Sequence, residues 1–301
     1  MALSRVSDAQ TFSFLVERAG RLQVSLRTLQ EQIASGKRLL GPEQDPFGAA
    51  QVVRLEGDLA ALGQHAEASR FGRDVLGAED DALGEAEQVL VRAEEIATQQ
   101  ASDLLGPEER AAAREEVHGL LEALTALGNS ELAGRRLFGG LALDAPPPFA
   151  DPDTPGYAPS TAYGGSTQEF SVKVGGGSSE RVRVSTRGDA VFQGALEALG
   201  TLDSALATGV GVAGTLTGLA QGRATLAAER ASVGVRQAQL VDRTHQVGGL
   251  VIQDQGALSR VQDADLVAVI SQLTQAETAL RATLAAGARL AETSLVNLLR
   301  L

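Results

Sequence analysis

Cysteine and tryptophan are absent from this chain of 301 residues. Without Cys there is neither a disulfide framework nor a thiolate metal site. Aromatic residues make up only 3% of the sequence, whereas compact enzymes of this length spend more of them on cores and pockets. No proline follows Pro159. No apolar run approaches the roughly 18 residues that would suggest a membrane span. The opening Met1-Ala2-Leu3-Ser4-Arg5 leads straight into a helical pattern without an apolar h-region, so a conventional signal peptide is not expected. Composition by itself points to the cytoplasm.

What is present favours helices. Hydrophobic residues are 44% of the chain, enough for a sizeable core, and Ala and Leu, both strong helix formers, supply most of them. The formal net charge is −12. Between Asp74 and Glu122 there are 14 acids against Arg92, Arg110 and Arg114, a balance of −11. A field of that sign repels nucleic acid and anionic lipid, so neither is expected as a partner. The stretch itself reads as a solvated helical face.

The clearest periodicity lies near the start. Phe12, Leu15, Ala19, Leu22, Leu26, Leu29 and Ile33 are spaced alternately three and four apart, an a/d seam that needs a partner helix to cover it. Ser35-Gly36-Lys37 breaks this helix, with Gly36 suited to the position just past its C-cap. Asp45-Pro46 reads as an N-cap followed by Pro at N1. A second helix carries Val52, Leu55, Leu59, Leu62 and Ala66. A third pattern runs through Leu76, Leu83, Ala86, Leu90, Ala93 and Ala97 to Leu105, and Pro107 opens another helix that ends near Gly128. Helices return from about Val191 to Ala207 and Gly214 to Val261. After Asp263 and Asp265, Leu266, Val269, Leu273, Ala276 and Leu280 repeat the opening spacing. The two ends are therefore expected to pair with each other or with copies of themselves.

Residues 139–190 differ from everything around them. Six of the nine prolines fall between Pro146 and Pro159, and Phe170, Val172, Val174 and then Val182, Val184 alternate on either side of a Gly/Ser loop. That is a β-hairpin signature. The expected fold class is mainly α: a long antiparallel helical rod whose N- and C-terminal helices pair as a coiled coil, plus a small β-rich insert. Its expected divisions are 1–40, 41–138, 139–190, 191–262 and 263–301.

Catalytic chemistry is not indicated. Gly209, Gly211 and Gly214 spell G-x-G-x-x-G, but a helical pattern precedes them where a dinucleotide site needs a strand, so a helix–helix turn is expected. His65, His118 and His245 stand alone in sequence and read as helix-surface residues, not as ligands or bases. Carboxylate pairs such as Glu94-Glu95 and Glu115-Glu116 diverge around a helix. No catalytic residue, metal ligand or cofactor is expected.

Several segments carry a family resemblance. Ser35-Gly36-Lys37-Arg38 with Asp45-Pro46 and Ala49-Ala50 resembles the N-terminal motif of flagellin-like proteins, its Asp-Pro being closer to the hook-associated branch than to filament flagellin. Ser232–Gln237 is similar to a stretch of the family's long C-terminal helix. Asp263-Ala264-Asp265, Ile270–Gln275 and the close Ser294–Leu299 resemble its final helix. In two places the pattern departs, with Gln44 and Leu266 where the family has an acid and an aromatic. The resemblance implies a structural subunit joining hook to filament in the bacterial flagellum, extracellular, and exported by the type III apparatus without a cleaved signal. It also implies ring assembly with copies of itself, contacts with the hook-side junction protein and flagellin, an export chaperone as a plausible partner, and terminal helices that order on assembly. Filament flagellin and a type III secretion filament or tip protein are the alternatives.

Overall fold

The computed structural model describes residues 2–101, 106–142, 146–155, 157–158, 163–176 and 180–299, with side chains outside 2–9 and 291–299. Helices dominate: α1 (Ala2–Ser35), α2 (Pro46–Gln99), α3 (Pro107–Gly128), α4 (Gly188–Val191), α5 (Gln193–Thr208), α6 (Val212–Gln262) and α7 (Leu266–Leu299). Two small antiparallel pairs complete the described fold: β1 (Glu131–Leu132) with β2 (Arg135–Arg136), and β3 (Ser171–Lys173) with β4 (Arg181–Arg183). The chain divides into two compact units. One comprises Met1–Ala61 and Val251–Leu301, the other Leu62–Leu250.

The larger unit is built on the stripe expected from sequence. Leu76, Leu83, Ala86, Leu90, Ala93 and Ala97 are all fully buried. The two segments read as separate helices are one, because nothing between Ala66 and Leu76 breaks the helical pattern and neither Gly72 nor Gly77 is followed by a proline. On α6, Leu219, Leu226, Val233 and Leu240 recur every seven residues and are fully buried, a heptad stripe with α2 as its antiparallel neighbour. Gly222 allows close packing there, since a Cβ would lie 3.1 Å from the Ala195 Cα of α5. Ion pairs follow the same alignment: Arg223–Glu94 at 3.0 Å and Arg230–Asp80 at 2.9 Å. The acidic stretch is thus not a uniformly solvated face. Several of its acids meet arginines brought by α6, and Glu79 is buried outright.

The aromatics clustered in sequence form a second centre of packing. Phe138 and Phe192 lie 4.7 Å apart between ring centroids, Phe149 and Phe192 6.0 Å, Phe149 and Tyr163 5.4 Å. Asn129, at the end of α3, holds the Phe149 backbone through both amide groups at 2.9 Å. The expected hairpin is present, with Val172, Val174, Val182 and Val184 buried. The β1–β2 hairpin was not anticipated. Its two-residue turn has φ of +51° at Ala133 and +78° at Gly134, and Ala in the first of those positions conceals the usual Asn-Gly signal. Gly209 and Gly211, with φ of +71° and +79°, turn the chain from α5 into α6, as a helix–helix turn requires. The Leu105 helix end, the hairpin loop at 177–179 and the side chains of Ser294–Leu299 lie outside the described residues.

Truncating Phe192 should be costly, because it is fully buried against two other rings. Phe192→Ala is expected to lower unfolding free energy by about 3–5 kcal/mol in urea titration, against under ~0.5 kcal/mol for a surface control.

Candidate assembly interface

In the smaller unit α1 packs along α7. Of the residues expected on the seam, Ala19, Leu29 and Val269 are buried. Leu15, Leu22, Leu26, Ile33, Leu273, Ala276 and Leu280 are half-buried, as two helices without further neighbours leave them. Phe12 and Leu266 stay exposed at 47% and 44%. Beside the seam, α7 presents Val267, Ile270 and Leu284 to solvent, and α1 presents Phe14 and Val24. These exposed apolar side chains all stand on the one packed helix pair.

The motif residues join the two helix breaks of this unit. Gly36 ends α1 at φ +70°, a left-handed conformation open to Gly at little cost. Its carbonyl accepts the Ala264 N–H at 2.9 Å, and the Arg38 N–H donates to the Gln262 carbonyl at 2.7 Å. Lys37 and Asp263 sit between these bonds as an antiparallel bridge. The Arg38 guanidinium donates to the Val261 carbonyl at 2.7 Å, satisfying an orphan acceptor at the end of α6. Asp45 caps α2 through the Gly48 N–H at 2.8 Å, with Pro46 at N1. Asp265 caps α7 through the N–H groups of Val267 and Ala268 at 3.0 and 3.1 Å. Asp263 instead accepts from Ser259 Oγ at 2.6 Å.

A polar constellation in the larger unit escaped sequence reasoning. The Glu79 carboxylate accepts the Thr186 N–H at 2.9 Å and its hydroxyl at 2.8 Å. Arg236 donates to Glu229 at 2.5 Å and to Thr186 Oγ1 at 3.2 Å. The carbonyl side of this corner is Ser185, so residues just past β4 are tied to α2 and α6. Burial pushes Glu79 up from its ordinary value to about 7, outweighing the Thr186 hydrogen bonds and Arg236. Burial and nearby Arg183 push Arg236 down. The motif containing Arg236 offered one signal, a basic residue within an apolar heptad stripe.

Residues 11–142 match the bacterial flagellin N-terminal helical region. That match covers under half of the chain, which is similar to the family over those residues. Two curated relatives carry the name flagellar hook-associated protein 3. A 136-residue stretch is 30% identical to flagellar hook-associated protein 3 of Salmonella typhimurium, covering 45% of this chain and 42% of that one. A 118-residue stretch is 28% identical to the Escherichia coli protein of the same name, covering 39% and 37%. The chain therefore spans about two fifths of the length of these curated relatives. Among solved structures, hook-associated protein 3 of Legionella pneumophila superposes with a TM-score of 0.62 at 13% identity, over 70% of this chain and 98% of that one. FlgL of Bacillus cereus gives 0.56 at 18% identity, over 70% and 99%. At such identities these two comparisons establish the shared fold.

Two outcomes are expected. Asp265→Ala, which removes both capping bonds of α7, should cost about 1 kcal/mol and speed amide hydrogen exchange in its first turn. Glu79 has a folded pKa above its unfolded one, so its stabilising contribution is complete below about 4.5 and disappears as pH rises through about 7. Glu79→Gln should gain on the wild type by roughly 1–3 kcal/mol between about pH 5 and pH 8 in denaturant titrations.

Proposed function

We propose that this chain is a non-catalytic structural subunit of the bacterial flagellum that joins hook to filament and assembles by burying the outer faces of its terminal helices. The observation that carries this reading is the α1–α7 pair itself. It is held at its base by the Gly36–Arg38 to Val261–Ala264 hydrogen bonds, yet leaves Val267 82%, Ile270 52%, Leu284 54% and Val24 66% exposed. Burying each such side chain fully is worth on the order of 1.5–3 kcal/mol. Ordering the backbone costs about 1–2 kcal/mol per residue, so the balance favours an ordered terminal pair when neighbouring subunits cover it on several sides. The names of the curated relatives support the same role.

In this reading Leu15, Leu22, Leu26, Leu29 and Ile33 of α1 and Val269, Leu273, Ala276 and Leu280 of α7 hold the terminal pair together, and the subunits form a ring through the exposed Phe14 and Val24 of α1 and Val267, Ile270 and Leu284 of α7. The ring contacts the hook-side junction protein on one side and flagellin on the other. The protein reaches that extracellular position by the flagellar export route, and a chaperone covers the apolar α7 surface beforehand. Gly36, Lys37, Arg38, Asp45, Pro46, Asp263 and Asp265 are positioning residues that set where the terminal helices start and stop.

Ile270→Asp changes an exposed residue, so subunit stability should move by under ~0.5 kcal/mol, while incorporation into flagella and swimming are lost. Leu273→Asp should likewise leave the larger unit folded and block incorporation. Normal motility in both variants would exclude this mode of assembly. Deletion of the gene should yield hooks without filaments and flagellin in the medium.

A further inference from the structure

His118 is not solitary in the fold. Its Nε2 lies 3.0 Å from Asp153 Oδ1 and 3.6 Å from Glu122 Oε1. Among the described residues these three offer ligand atoms within 4.8 Å of one another, drawn from two places 35 residues apart: His118 and Glu122 one turn apart on α3, and Asp153 from the proline-rich segment. We propose that His118, Glu122 and Asp153 bind a divalent transition ion of the zinc class, fastening the proline-rich segment to α3.

The donor set and its spacing argue for this ion. Zinc takes imidazole nitrogen and carboxylate oxygen at about 2.0–2.2 Å, so neighbouring ligands of a tetrahedral site stand roughly 3.4 Å apart. The His118–Asp153 and His118–Glu122 separations bracket that value. An imidazole discriminates against magnesium and calcium, which prefer all-oxygen shells. An open cleft lined by Glu122, Thr125, Asn129, Asp151 and Asp153 adjoins the group and gives water a route to a fourth position. Competition from a local cation is small, because Arg114, one turn before His118, is held by Asp203 at 2.9 and 3.2 Å. Asp151 is already committed to the segment's own turn, accepting the Asp153 N–H at 3.0 Å.

The test is isothermal titration of tag-free, full-length protein with a zinc salt, with cobalt as a second, visibly absorbing probe. One equivalent should bind near neutral pH. His118→Ala and Asp153→Asn should each weaken it at least tenfold, and His65→Ala and His245→Ala should not. Asp153 is exposed and lies outside the packed helices, so its variant keeps the fold even if the His118 variant does not. Zinc should also slow protease cleavage within residues 146–155 of the wild type. No saturable uptake up to millimolar zinc would overturn the proposal. So would unchanged affinity in Asp153→Asn, or calcium competing as strongly as zinc.

Discussion

A helix whose apolar stripe is one or two side chains wide cannot hold itself together in water, because its own hydrogen bonds barely offset the entropy of ordering it. The terminal unit of this protein is organised around that constraint. α1 and α7 cover each other's seams, bringing Ala19, Leu29 and Val269 out of water, and a two-helix contact can do no more. The remaining apolar residues stand at its flanks. The pair keeps its inner face out of water and leaves apolar side chains such as Val267 and Ile270 exposed beside it.

Registration of that pair comes from backbone chemistry at its base. Breaks between long helices leave orphan N–H and C=O groups, and here the two breaks answer each other. Gly36 and Arg38 exchange hydrogen bonds with Gln262 and Ala264, Arg38 also reaches Val261, and Asp45 and Asp265 cap the helices that follow. The segments that resemble flagellin-like motifs in sequence are, in physical terms, instructions for ending one helix and starting the next at a defined place.

The larger unit solves a different problem, attaching a β-rich insert to helices. It does so by aromatic packing around Phe192 and by the buried Glu79–Thr186–Arg236–Glu229 group. The second attachment carries a burial cost, visible in the raised Glu79 pKa, and is correspondingly specific in geometry. Asn129 gives a third, purely backbone-directed grip on the insert.

Much of the helical architecture was legible residue by residue. The Leu15–Ile33 and Val269–Leu280 stripes, the Gly36 stop, the cap at Asp45 and the alternation at Val172–Val184 are local patterns, and local patterns follow from the periods of helix and strand. The β1–β2 hairpin was hidden because Ala133 adopts a positive φ that its identity does not advertise. Which acids would be buried, and that His118 would meet Asp153, depended on tertiary structure alone. Periodicity says which face of an element seeks cover, but side chains from distant segments converge only once those faces have packed, and the polar groups left between them then take whatever partners the packing supplies.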